Sequence, residues 1–146
     1  MLSQRCQYAV RAIFDLARRN EDGPVTTAKI AAAQAIPEQF LEVIMGELKQ
    51  GGLVASKRGR RGGYVLARGP EEVTVGEVIL LISGPLGPVE CVHRDPAGKC
   101  ALAGDCAFLT LWRQVNEAAA SVYDGVTFAE LVAGCPGLGA VPEADE

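Results

Sequence analysis

The stretch that most constrains the fold is residues 53–66. Two short β-rich runs, 53–56 and 64–66, flank Lys57-Arg58-Gly59-Arg60-Arg61-Gly62-Gly63. This pattern reads as a hairpin with a basic, glycine-rich tip. Three helical segments precede it. Residues 4–19 carry Ala9, Ala12, Ile13, Leu16 and Ala17 at helical spacing, and Asn20-Glu21-Asp22-Gly23-Pro24 ends that helix. Thr26 or Thr27 can cap a second helix over 27–34, with Ile30 and Ala33 inward. Pro37 suits the first turn of a third helix, and Glu38 is favourable at its positive dipole end. Leu41, Ile44, Met45 and Leu48 form the buried stripe of this helix, and Gly51-Gly52 stop it. Three helices followed by a two-stranded wing make a winged helix-turn-helix, in which the last helix of the pair reads the major groove.

Charge supports that reading. The chain is acidic as a whole, with net charge −4 over 146 residues, yet residues 1–69 hold 11 Lys/Arg against 6 Asp/Glu. The remainder holds 3 against 12. A basic segment ending at Arg68 is the footprint of a phosphate-binding surface, and here the charge coincides with the fold pattern. Arg58, Arg60 and Arg61 at a hairpin tip can grip phosphates or enter a minor groove, while Gly62 and Gly63 let the backbone approach. The outward face of the third helix carries Glu38, Gln39, Glu42 and Glu47, with Lys49 its single basic residue. Gln can pair with adenine and Glu can accept from cytosine, but carboxylates near phosphates are costly. Affinity is therefore expected from the wing and helix N-termini, and base reading from contacts around Gln39, Phe40 and Glu42. The expected double-stranded DNA contacts are Thr26, Pro37, Glu38, Gln39, Phe40, Glu42, Lys57, Arg58, Arg60, Arg61, Gly62 and Gly63, in a DNA-binding domain of residues 1–69.

The second half is organised differently. Residues 74–83 look helical, with Val75, Val78, Ile79 and Ile82 on one face. Residues 84–105 are loop-like, with three prolines and four glycines. Residues 106–123 form the longest clean helix. There Phe108, Trp112, Val115, Ala119 and Val122 recur in alternating steps of four and three, the spacing of a coiled-coil seam, and predict a homodimer. Thr127 and Glu130 have capping-box spacing and open a short helix through Val132. Residues 70–134 thus hold a linker helix, a cysteine-bearing loop and a dimerisation helix, and 135–146 a flexible acidic tail. The predicted fold class is mainly α with a small β-wing.

Five cysteines, an odd number, and an N-terminus without an apolar signal core point away from a disulfide framework. No run is long enough to span a bilayer. A cytoplasmic chain with reduced thiols is expected, with no membrane partner. Cys91, Cys100 and Cys106 follow C-x8-C-x5-C, placing three thiols within sixteen residues. Thiolates so spaced can surround an iron–sulfur cluster or, as the alternative, zinc. Buried structural cysteines favour helices and strands, whereas two of these sit in a polar loop and the third at a helix start. Cys6 reads as a packing residue and Cys135 as a tail residue. A fourth ligand could come from His93, the only histidine, from Cys6, from Gln7, or from a partner subunit. No convincing nucleophile–base pair or phosphate loop is present, so an enzyme is not expected.

These residues resemble the winged-helix iron–sulfur transcription regulators typified by IscR and NsrR. The matching text is Tyr8-Ala9-Val10, Gly23-Pro24-Val25, residues 36–48 (IPEQFLEVIMGEL), Gly52-Leu53-Val54, residues 58–64 (RGRRGGY), Gly76-Glu77-Val78-Ile79, the three cysteines and Leu111-Trp112-Arg113. The resemblance covers nearly the whole chain, in the right order. It implies a homodimer whose long C-terminal helices cross, with one cluster per subunit, 2Fe–2S or 4Fe–4S, near that interface. It also implies DNA-recognition roles for Glu42 and Arg58. Family members take a fourth ligand from a histidine three residues after the last cysteine or from an acidic residue near the N-terminus. Leu109 and Gln7 stand at those positions here, leaving Gln7 of the partner subunit or His93 as candidates. The implied function is a regulator whose operator binding is modulated by the cluster, reading redox state, nitric oxide or iron–sulfur status. The alternative is a cofactor-free or zinc-bound regulator of the same fold that responds to thiol oxidation or a partner protein.

Overall fold

The computed structural model describes residues 2–86 and 105–134. Cys91, His93, Cys100, Cys135 and the acidic tail lie outside the described residues. In chain order the elements are α1 (Gln4–Arg18), α2 (Thr27–Gln34), α3 (Glu38–Gln50), β1 (Val54–Lys57), β2 (Gly63–Leu66), α4 (Val75–Ser83), α5 (Leu109–Asp124) and α6 (Phe128–Val132). The chain is mainly helical with one small antiparallel sheet, β1 beside β2.

Helix α1 is the hub. Ser3 caps it, its hydroxyl accepting from Cys6 N at 3.2 Å. Cys6, Ala9, Ala12, Ile13, Leu16 and Ala17 are buried, so Cys6 is a core packing residue. Small side chains along this face let α2, α3, α4 and α6 all pack against the helix. Each large aliphatic chain buried there, such as Ile13 or Leu41, contributes about 2 kcal/mol by leaving water.

Asp15 is also completely buried on α1. Its Oδ1 accepts from Arg18 Nη2 at 2.8 Å and from Gln34 Nε2 at 3.3 Å, while Arg19 Nε lies 3.0 Å from Oδ2 but out of line for a hydrogen bond. Arg11 donates to the Gln34 carbonyl, so two groups of α1 grip the end of α2. Gln34 is drawn inward by this network. The buried face of α2 consequently runs through Ile30 and Ala31, and Ala33, expected inward, is exposed. Asp15→Ala should destabilise the fold by about 2 kcal/mol, because charged hydrogen bonds are lost while both arginines retain access to water. A lowered urea midpoint with an unchanged m-value checks this.

Thr26 caps α2, accepting from Lys29 N at 3.3 Å. At the other end Ala35 adopts a left-handed φ of 51°, and Ile36 N reaches back to the Ala31 carbonyl at 3.0 Å. Ile36, buried, holds this turn closed. Pro37 then serves as the N-cap of α3, one position earlier than expected, and Leu41, Ile44, Met45 and Leu48 are buried as the stripe predicts. Gly52, at φ 76°, ends the helix in the conformation glycine favours.

The wing is pinned on both sides. Val54 pairs with Leu66 and Lys57 with Gly63. Tyr64 also exchanges backbone hydrogen bonds with Val25, at 2.8 and 2.9 Å, so the segment before α2 forms a bridge to β2. Gly63, at φ 148°, lies so close to the Val25 carbonyl that a side chain there would strike it. Beyond the wing, Arg68 pairs with Glu77 at 2.8 Å. Burial raises the Glu77 pKa, but the hydrogen bond from Arg68, the Thr74 N–H and the Arg68 charge outweigh it and leave the carboxyl below its ordinary value.

The core continues past residue 69. Val73, Val75, Val78, Ile79, Ile82 and Phe128 join the same cluster as α1 and α3. Capping boxes start α4 (Thr74, Glu77) and α6 (Thr127, Glu130). Phe128 N donates to the Val73 carbonyl at 3.0 Å and Val75 N to Val126 at 2.9 Å, tying these two starts together. Helix α5 stands apart, with no buried residue of its own. It rests on α4, where Asn116, Ala120 and Tyr123 face Ile79 and Leu80 across a shallow cleft.

Candidate nucleic-acid interface and cluster ligands

The hairpin register leaves Arg58, Gly59, Arg60, Arg61 and Gly62 as the tip. Gly59 takes φ 115° and accepts from Gly62 N at 3.0 Å, a tight turn that throws the arginines outward. Arg58, Arg60, Arg61 and Lys57 are exposed and make no ion pair with any described residue. Four uncompensated cations on a rigid turn form a strong anion-seeking surface. A side chain at Gly62 would collide with the Lys57 and Gly59 carbonyls, so its role is to close the turn.

On α3 the expected polar residues Glu38, Gln39 and Glu42 are exposed, as is Phe40. Glu47 differs from expectation. It is half-buried on the flank and paired with Arg5 of α1, which neutralises it. The outward face is accordingly less acidic than the sequence suggests. Val43, absent from the sequence expectation, is the most exposed large apolar residue described. Its signal was available: it lies four residues after Gln39 and off the buried stripe. With Gln4, Arg5, Tyr8, Phe40 and Ile44 it lines an open, mainly apolar cleft of about 330 Å³ between α1 and α3. Thr26 and Pro37 sit exposed at the two helix starts, with the Thr26 hydroxyl engaged in capping.

Of the expected cluster ligands, Cys106 alone among the cysteines of the motif is described. Helix α5 begins at Leu109, three residues later than expected, so Cys106 lies on the turn before the helix, its carbonyl accepting from Leu109 N at 3.2 Å. Phe108 stands at the N-cap without a side-chain acceptor, so no capping residue marks this start. The Cys106 thiol is half-exposed, whereas Cys6 is fully enclosed. That contrast fits Cys106 as a ligand and excludes Cys6 without unpacking α1. Gln7 is exposed on α1 and donates to the Leu2 carbonyl at 3.1 Å. Among the described residues no three metal-ligating side chains converge.

The residues of the expected seam form an apolar stripe along α5. Phe108, Val115 and Val122 are about half exposed, Trp112 and Ala119 are half-buried, and the rings of Phe108 and Trp112 stack at 6.2 Å. Leu111, exposed between Phe108 and Val115, widens the stripe and was missed, although it follows Phe108 by three residues. No helix among the described residues is long and apolar enough to cross a membrane.

Relatives with this architecture regulate transcription. The HTH-type transcriptional regulator IscR of Yersinia pestis is 36% identical over 131 residues, covering 90% of this chain and 78% of the relative. Among solved structures, IscR of T. potens superposes with a TM-score of 0.76 at 30% identity, covering 97% of this chain and 92% of that one. CymR, described as the global cysteine regulator of B. subtilis, gives 0.75 at 30% identity, with coverage of 91% and 96%. These relatives are named as regulators. A sequence model of the Rrf2 family, described as iron-dependent transcriptional regulators, matches residues 2–134, and the chain belongs to that family of winged-helix regulators.

Proposed function

We propose that the chain is a homodimeric, cytoplasmic transcription regulator whose operator binding is modulated by an iron–sulfur cluster held by Cys91, Cys100 and Cys106. The observation that carries the DNA-reading part is the arginine tip: Arg58, Arg60 and Arg61 stand exposed, without an ion-pair partner among the described residues, at a turn braced by Val25. Residues 1–69 read DNA, residues 70–134 carry the linker helix, ligand loop and α5, and residues 135–146 form a tail. Contacts to phosphate and base come from Thr26, Pro37, Glu38, Gln39, Phe40, Glu42, Lys57 and the wing.

For the cluster, the donor set supports the reading. Three thiols suit iron–sulfur chemistry, and the one described, Cys106, is accessible beside α5. Gln7 of the partner subunit or His93 completes the set, and a neutral oxygen or nitrogen ligand holds iron more weakly than thiolate does. When bound, the group supplies a centre that changes charge with redox state, reacts with nitric oxide, or is lost altogether. The chain's own part is mechanical. Ligation at Cys106, on the turn before α5, biases the helix that joins the two DNA-reading units. The second reading is a cofactor-free or zinc-bound regulator of the same fold that responds to thiol oxidation or a partner protein.

The test compares operator affinity of anaerobically purified protein, with iron and sulfide counted, against chelator-treated protein and Cys100→Ala. Holo protein should differ from the other two by about tenfold, a typical coupling between linked sites. Equal affinities with a full cluster would remove the cluster as the switch. Absent iron and sulfide, with affinity changing on thiol oxidation, would establish the second reading.

A further inference from the structure

Among described residues 2–69, two large apolar side chains, Phe40 and Val43, stand exposed, while the others are buried or half-buried. Both lie on α3. The helix turns about 100° per residue, and its buried chains, Leu41, Ile44, Met45 and Leu48, cluster around one meridian. Gln39, Val43 and Gly46 fall on the opposite meridian, one above another, with Glu42 beside them. Phe40 lies on the flank nearer α1 and forms part of the cleft wall with Tyr8. Val43 is 62% exposed where the outward face meets that cleft. Gly46, one turn further on, has no atom of a neighbouring segment within reach of a Cβ. Packing therefore does not require glycine there, and glycine within a helix weakens it by about 1 kcal/mol. A bare position next to an exposed valine leaves α3 low enough to sit close to the surface it meets.

Resting on the DNA-reading function proposed above, we infer that Val43 is a specificity-determining residue that reads the C5-methyl group of a thymine in the operator. Three observations favour duplex DNA as its occupant. The outward meridian pairs an amide, Gln39, with a branched apolar chain, and the major-groove edge offers adenine's donor and acceptor beside thymine's methyl. The basic wing follows α3 directly in the chain and carries no internal counter-charge. Glu47, which would repel phosphate on one flank, is held by Arg5. Glu42 then discriminates by accepting from a base amine, and Val43 by apolar contact with a methyl. The preferred half-site consequently contains a thymine whose methyl carries affinity that its hydrogen-bonding edge does not.

Deoxyuridine differs from thymidine only in lacking that methyl, so the experiment isolates it. A duplex is selected from a random library by the full-length protein and resynthesised with deoxyuridine at each thymine in turn. Wild type should lose about fourfold in affinity at one position per half-site, the worth of one buried methyl group. Val43→Ala should bind the thymine duplex about as weakly and show no further loss at that position. Val43→Ala that still loses the same factor, or wild type indifferent to every substitution, would overturn the assignment. Failure to select any duplex above non-specific binding would instead overturn the DNA-reading function. A fall in dimer content of Val43→Ala by sedimentation would give this face to a second copy of the chain and overturn the thymine contact.

Discussion

Val115→Glu should convert the proposed dimer into a folded monomer. Val115 is 47% exposed at the middle of the stripe that Phe108, Leu111, Trp112, Ala119 and Val122 form on α5. A neighbouring side of α5, with Asn116, Ala120 and Tyr123, is the one that rests on α4. Two copies related by a two-fold axis would bury the stripe against itself, so a single substitution places two carboxylates in one seam. Each loses hydration and neither gains a cation, because Arg113 and the other described charges of α5 point off the stripe at helical spacing. The desolvation is worth several kcal/mol per ion, so association should weaken by about 5 kcal/mol, more than a thousandfold in Kd. Stability of the protomer should change little, since Val115 belongs to no core cluster. Sedimentation should report monomer while the thermal melt of the helical signal stays near that of wild type. Operator affinity should fall with it, because a dimer engages two half-sites at once and a monomer one. A variant that stays dimeric at micromolar concentration would place the seam elsewhere.

The N-terminal half was legible because its signals are local. Apolar spacing in α1 and α3, the capping residue Thr26 and the glycines Gly51-Gly52 each act within a few residues, and each appears where the sequence puts it. The misses share another cause. Asp15 is buried because Gln34, in a different helix, meets it, and the only local hint was a pair of arginines three and four residues later. The same contact rotates α2, so Ala31 replaces Ala33 on the inner face. Glu47 reads as a free carboxylate until Arg5 is brought beside it from 42 residues away in sequence. The start of α5 moved from Cys106 to Leu109 because no capping side chain marks it, and apolar spacing fixes the middle of a helix better than its ends. Val43 was overlooked because an apolar residue on a helix is assumed to face inward, and its phase relative to Leu41 and Ile44 says otherwise.

Arg60→Ala/Arg61→Ala should abolish tight operator binding while leaving the fold intact. Both side chains are exposed, neither pairs with a described carboxylate, and both project from a turn closed by Gly59 and Gly62 rather than by their own contacts. The turn can therefore survive the substitution. The energetic loss falls on binding. A charge-assisted hydrogen bond to a phosphate oxygen contributes about 1.5 kcal/mol or more, so removing two should lower affinity by about a hundredfold at moderate salt. Each phosphate contact also releases condensed counterions, contributing close to one unit to the slope of log K against log salt. The double variant should show a slope shallower by about two, whatever sequence is bound. This distinguishes wing arginines from base-reading residues such as Gln39 and Glu42, whose removal should change which duplex is preferred and leave the salt slope alone. Arg58 offers an internal control. It occupies the position nearest β1, and if it has the recognition role that the resemblance to IscR-type regulators implies, Arg58→Ala should alter sequence preference more than salt dependence. Unchanged affinity and slope in Arg60→Ala/Arg61→Ala, measured by titration across a salt series, would mean that the tip does not touch the phosphate backbone and that α3 and the helix N-termini hold the duplex without it.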